Sequence, residues 1–241
     1  MPDQYSRTRL LLGDDGIQKL KNARVALFGL GGVGGHAAEA LARAGVGQLD
    51  LIDNDTISLT NLNRQLLATH STVGRYKVDV AAERIRDIDP TIQVRTYRTF
   101  YLPETAGEFD FRQYDYVLDA IDTVTGKLML IAQAKEAGVP IISCMGTGNK
   151  LDATDFRVAD ISKTSGCALA RIMRKECAKR ELKGVKVVYS EELPMTPQPT
   201  GDEEPMAEGS SRRSLPGSVA FVPGVAGMIM AGEVIRDLTG K

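Results

Sequence analysis

The chain has 241 residues, 43% of them hydrophobic, and carries 30 basic against 31 acidic side chains. Its length can bury one substantial core, or one core with an appended lobe, and the near balance of charge neither demands nor excludes an anionic partner. The start Met1–Arg7 lacks the apolar centre of a signal peptide, and the longest apolar-looking stretch, 218–235, is broken by Pro223, Gly224, Gly227 and Gly232, so secretion and a membrane span are not expected and cytoplasm is the default.

In chain order, the runs 24–29, 48–53, 92–97, 115–119 and 140–144 predict short strands, and 33–44, 74–88 and 124–137 predict helices. This alternation predicts an α/β fold with a Rossmann-like, doubly wound and mainly parallel sheet. Gly138-Val139-Pro140 ends a helix and opens a strand. Beyond residue 150 the pattern predicts a strand over 155–161, a helix over 166–179 and a strand over 186–190. The segment of about 192–216 collects prolines, acidic residues and Ser210-Ser211, the composition of a mobile or ordered-on-binding loop. Val219 to Leu238 predicts a last helix packed back on the sheet. The expected organisation is a single domain over 1–241, with a nucleotide-binding half at 24–150 and a substrate-side extension at 151–241.

The chemistry concentrates where the predicted strands end. Gly29-Leu30-Gly31-Gly32-Val33-Gly34 follows Val25-Ala26-Leu27-Phe28 and precedes a helix. Such a turn brings backbone N–H groups and a helix N-terminus to a phosphate, because no side chain bars the approach. Asp53 closes the next apolar run at the distance where a carboxylate accepts hydrogen bonds from a ribose. A dinucleotide dehydrogenase would also show this pair of features. The block from Asp53 to Gln65, with Asp55, Asn61 and Arg64 inside it, and Lys77 beyond, argues for more, since a triphosphate under attack needs side-chain positive charge as its own charge redistributes. Asp119 and Asp122 follow the strand Tyr116-Val117-Leu118, at a carboxyl end of the sheet. Each reads either as a helix N-cap or as a functional carboxylate.

These segments, with Leu118 to Asp122, resemble as an ordered set the ThiF/MoeB/ubiquitin-activating superfamily over most of residues 7–150. The resemblance implies that Gly29, Gly31, Gly32 and Gly34 cradle ATP beside Asp55 and Gln65, that Asp53 holds the ribose, and that Asn61, Arg64 and Lys77 hold the triphosphate. It implies that Asp122 helps bind Mg2+ and places the carboxylate to be adenylated.

The three cysteines, Cys144, Cys167 and Cys177, contain no Cys-x-x-Cys pair, so the four-cysteine zinc site of many sulfur-carrier activators cannot be assembled. Cys167 opens a predicted helix and reads as a nucleophile or as an incidental thiol. Residues 171–186 form the one strongly basic run, in which Arg171, Arg174, Lys175 and Lys179 share one side of a helix, a solvated face or a contact for a phosphate backbone.

The segments 164–174 and 216–227 resemble the tRNA threonylcarbamoyladenosine dehydratase branch, TcdA, as does the opening Ser6–Gly13. That likeness implies a tRNA partner and a homodimer in which an N-terminal arginine, Arg7 or its competitor Arg9, reaches the triphosphate of the partner subunit. It implies adenylation of the threonine carboxylate, then displacement of AMP by the carbamoyl group of the same nucleoside, a closure that proximity accelerates without a thioester cysteine. The rival reading is an adenylyltransferase for the C-terminal Gly-Gly of a sulfur-carrier or ubiquitin-like protein. A dinucleotide dehydrogenase leaves Asn61, Arg64 and Lys77 without a task.

Overall fold

The computed structural model describes residues 2–198 and 216–241. Most of the segment 192–216 therefore lies outside the described residues. Among the described residues seven strands make one sheet: β1 (Arg24–Phe28), β2 (Gln48–Ile52), β3 (Gln93–Tyr97), β4 (Tyr116–Asp119), β5 (Ile141–Cys144), β6 (Phe156–Asp160) and β7 (Lys186–Ser190). Their order is β3-β2-β1-β4-β5-β7-β6, all neighbours parallel except the last pair, β7 and β6. Residues 151–241 thus extend the sheet begun by 24–150. The strand order reverses direction at β1, and register pairs Phe28 with both Ile52 and Asp119, so the carboxyl ends of β1, β2 and β4 lie level at this switch point.

The helices α1 (Ser6–Asn22), α2 (Gly34–Ala44), α3 (Lys77–Ile88), α4 (Val124–Ala137), α5 (Ala168–Lys179) and α6 (Phe221–Thr239) cover the two faces. Alternation along β1 divides the core: Val25 and Leu27 pack with residues of α2, α3 and α6, whereas Ala26 and Phe28 pack with those of α4 and α5. Both faces being covered explains why β1 and β2 read as near-continuous apolar runs. Phe28 also meets Tyr101 and Phe109 edge-on, with centroids 4.9 and 5.4 Å apart, beneath the strand ends. Helix α6 crosses α2 at Gly227, where a Cβ would fall 2.2 Å from the Val33 carbonyl oxygen, so only glycine permits the approach.

The structure departs from the expected elements most at the N-terminus. Residues 6–22 form α1, two helical pieces joined at Gly13 (φ 73°, ψ 173°). The apolar period conceals it, because Leu10 and Leu11 are 85% and 81% exposed while Ile17 and Leu20 are buried. Elsewhere the predicted strands and helices recur with ends moved by a few residues, the largest shift being the start of α3 at Lys77 rather than residue 74. No helix among the described residues is long and apolar enough to cross a membrane.

Candidate active site

A cavity of about 750 Å³ opens over the carboxyl ends of β1, β2, β4 and β5. Gly29, Gly31 and Gly32 form one wall. Gly34 stands behind them as the first residue of α2, where a Cβ would lie 1.8 Å from the Gly29 carbonyl oxygen, so a side chain there would force the turn away from the cavity. The α2 N-terminus adds a favourable field for an anion.

Asp53, just past β2, accepts hydrogen bonds from the N–H of Leu30 (2.6 Å) and of Asp55 (2.8 Å), which fixes the carboxylate against the glycine turn. Burial raises its pKa above the ordinary value, while the Lys77 charge and the two N–H donors work against that rise. Lys77, in the first turn of α3, is 6% exposed and pairs at 2.6 Å with Asp55, which is 58% exposed. Asn61 closes a short helical turn by accepting from the Ser58 N–H at 3.2 Å. Arg64 and Gln65 follow it into the cavity wall. The Arg64 Nη1 donates to Thr60 O (3.0 Å) and Asn63 Oδ1 (2.9 Å).

Gln65 Oε1 and Thr123 Oγ1 are buried side-chain oxygens at this cavity with no hydrogen-bond partner among the described residues. Buried polar atoms in folded proteins are paired with protein, water or ligand, so these two oxygens are acceptors open to whatever occupies the cavity. Asp122 lies exposed at the rim, and it is Thr123, not Asp122, that stands at the N-cap of α4. The site combines a glycine turn at a helix N-terminus, a carboxylate anchored by two N–H donors and two cations from separate segments.

The sequence pattern of the ThiF family matches residues 5–241. This chain belongs to the ThiF family. It is 44% identical over 244 residues to the tRNA threonylcarbamoyladenosine dehydratase of Bacillus subtilis (strain 168), covering 99% of this chain and 95% of that one. Solved E. coli TcdA, a tRNA N6-threonylcarbamoyladenosine dehydratase, in complex with ATP superposes with a TM-score of 0.87 at 32% identity, over 98% of this chain and 94% of that one. Its complex with AMP superposes at 0.86, with the same identity and coverage.

In this ThiF-family chain, sequence reasoning missed a polar core directly under the site. Lys127 and Asp119 are both fully buried and pair at 3.1 Å; Ser143 Oγ donates to the other Asp119 oxygen at 2.5 Å, and Lys127 donates to the Cys144 carbonyl at 2.7 Å. Asp119 also accepts from the Ile121 N–H at 3.3 Å. The network ties β4, β5 and α4 together and holds the backbone leading to Asp122. A lysine in the apolar run 126–131 was the available signal. Cys144, beside this network and in the cavity wall, has its thiol pushed up to about 12 by burial. Cys167 caps α5, its Sγ accepting from the Ala170 N–H at 3.5 Å.

Two expectations meet a more particular geometry. Arg7 is exposed on α1 and does not line the cavity of its own chain; Arg9 is held by Asp3 (2.9 Å) and Asp14 (2.8 Å). On α5 the basic residues are not equivalent. The Arg174 guanidinium bonds to the Thr164 carbonyl and hydroxyl, and Lys179 pairs with Glu176 at 2.8 Å, so both have partners inside the fold. Arg171 and Lys175 are exposed and form no ion pair among the described residues.

Proposed function

We propose that this chain uses ATP to cyclise threonylcarbamoyladenosine in tRNA by adenylating its threonine carboxylate. The reading is carried by one observation: in a chain 44% identical to a dehydratase along nearly its whole length, the glycine turn, Asp53, Asn61, Arg64, Lys77 and Asp122 converge on one cavity.

ATP is a co-substrate in this scheme. Gly29, Gly31 and Gly32 admit its phosphates to backbone N–H groups, and Asp53, held by two N–H donors, accepts from the ribose hydroxyls. The carboxylate oxygen attacks the α-phosphorus and pyrophosphate leaves, giving an acyl-adenylate. Arg64 and Lys77 stabilise the charge that shifts onto the leaving group. The carbamoyl group then attacks the acyl carbon, loses a proton and expels AMP, so the nucleoside ends lighter by one water. Lys77 changes partner on the way, from the exposed Asp55 carboxylate to phosphate oxygen.

Among the described residues no cluster of three or more His, Cys, Asp or Glu side chains is arranged to hold a metal. That suits Mg2+, which keeps its waters and binds through one or two carboxylates together with substrate phosphates. Asp122 is the carboxylate that would hold it, and the ion would supply charge neutralisation of the triphosphate. Arg171 and Lys175, exposed on α5 beside the already partnered Arg174 and Lys179, offer a phosphate-backbone contact. A homodimer would bring Arg7 of the partner subunit to the triphosphate, and a cytoplasmic setting fits a tRNA substrate.

Incubation with Mg·ATP and tRNA carrying the linear modification, followed by nuclease digestion and mass spectrometry, tests the reading. A nucleoside lighter by one water is expected. A folded, ATP-binding protein that leaves the nucleoside unchanged would overturn it in favour of a carrier-protein adenylyltransferase.

A further inference from the structure

One stretch of cavity wall has no task in the mechanism above. Residues 216–218 cross from the loop after β5 to the loop that carries Arg64, and hydrogen bonds hold them at both ends. Asn149 secures the first end. Its φ of 60° lies in the left-handed region, which asparagine enters more readily than other non-glycine residues. From that conformation its N–H donates to the Gly217 carbonyl (2.7 Å) while its Oδ1 accepts from the Gly217 N–H (2.6 Å). Its own carbonyl accepts from the Met195 N–H at 2.7 Å. Beside it, Gly148 sits so near Pro216 that a Cβ would lie 2.7 Å from the ring.

Asn63 secures the other end. Its Nδ2 donates to the Ser218 carbonyl at 2.9 Å, and its Oδ1 accepts from Arg64 Nη1 at 2.9 Å. The Thr60 carbonyl is the other acceptor of that Nη1, and no carboxylate pairs with Arg64 among the described residues. The orientation of the guanidinium therefore depends on two neutral oxygens, one of which belongs to a side chain tethered to Ser218.

We propose that Asn63 is a positioning residue, which sets the Arg64 guanidinium for the triphosphate and couples it to the 216–218 segment that Asn149 holds. A shift of the wall near Gly148 and Pro216, where the cavity continues beyond the nucleotide residues, is then transmitted through Ser218 and Asn63 to Arg64. The inference rests on the reading of the cavity as an ATP site with Arg64 at the triphosphate.

Calorimetric titration of the full chain with ATP and with AMP tests it, because a misplaced Arg64 weakens the triphosphate complex and not the monophosphate one. Asn63→Ala is expected to raise the Kd for ATP about tenfold, the scale of one hydrogen bond to a charged group, and to leave the Kd for AMP unchanged. Asn149→Gly keeps the left-handed backbone and removes only the Oδ1 acceptor. It should weaken ATP in the same selective way. The double variant should be no weaker than the weaker single one, since both act through one path. Asn63→Asp retains an acceptor for Arg64 and loses the donor to Ser218, so whatever its own ATP affinity, that affinity should be indifferent to Asn149→Gly. Equal losses for ATP and AMP, unchanged ATP affinity in Asn63→Ala, or additive effects in the double variant would each overturn the coupling. A wild-type chain that bound neither nucleotide would overturn the ATP reading itself, and the inference with it, whereas one that binds ATP but leaves tRNA unchanged would leave the coupling intact.

Discussion

Lys77 Nζ lies 2.6 Å from Asp55 Oδ2, and the two side chains differ sharply in setting, 6% against 58% exposed. The ammonium is held inside the cavity wall while its counter-charge stands in water, so an anion entering the cavity can take over the lysine at little cost. Lys77→Ala should therefore lower ATP-dependent turnover by about a hundredfold or more, the scale found when one preorganised charge-stabilising group is removed. Single-turnover kinetics at saturating ATP would measure it, and a loss smaller than threefold would remove Lys77 from the chemistry.

The Lys127–Asp119 pair should matter first to stability. Lys127→Met leaves the fully buried Asp119 without its cation, which costs about 3–5 kcal/mol in comparable cases. Urea unfolding followed by circular dichroism would register the change as a lower midpoint. A loss under about 1 kcal/mol would mean that Ser143 and the Ile121 N–H satisfy the carboxylate by themselves.

Acid sensitivity should arise on the side of the sheet covered by α6. Burial raises the Asp237 pKa, but hydrogen bonds from Lys186 and Tyr116 outweigh it and hold the carboxyl below its ordinary 3.8. Glu233 is likewise held below 4.5, where burial is outweighed by Arg236 and Lys186. For a depressed carboxyl the unfolded chain takes up the proton first. The stabilisation is thus complete above the ordinary carboxylate range and is lost as pH falls through the folded value. Asp237→Asn should lower the urea midpoint at pH 7 and shrink the further drop on acidification to about pH 3. A wild-type midpoint that did not move between those two pH values would refute the assignment.

Thiol reactivity offers a check on the packing under the site. Burial lifts the Cys144 thiol to about 12, so it holds no appreciable thiolate fraction at pH 8, and it raises the Cys177 thiol as well, which is also closed off from solvent. Iodoacetamide should leave both unmodified in the folded protein and label both in urea, as read by peptide mass spectrometry. Rapid native labelling of Cys144 would show that the strand ends are open to solvent.

Much of the stretch 24–150 was legible in the residues. Short apolar runs alternate with amphipathic helices, and a glycine turn followed by Asp53, Asn61, Arg64 and Lys77 is a local, ordered signal that survives without coordinates. Periodicity and turn chemistry are set by near neighbours in the chain, which is why β1 to β5, α2 to α4 and the cavity residues could be placed. What eluded the sequence has the opposite character. Helix α1 is stabilised by burying Ile17 and Leu20 while leaving Leu10 and Leu11 in water, and its apolar stripe makes sense only against the rest of the fold. Lys127 looked like one more lysine until β4 and β5 came together around it. Arg174 looked like one more surface cation until the loop before α5 folded under it. The Asn63–Ser218 and Asn149–Gly217 bonds join residues 155 and 68 positions apart, distances that no local pattern spans. The sequence by itself determined the alternating elements and the set of groups that can meet a nucleotide. Tertiary structure decided which charges are buried, which are already paired and which remain available, because those properties depend on neighbours that only the closed sheet brings into contact.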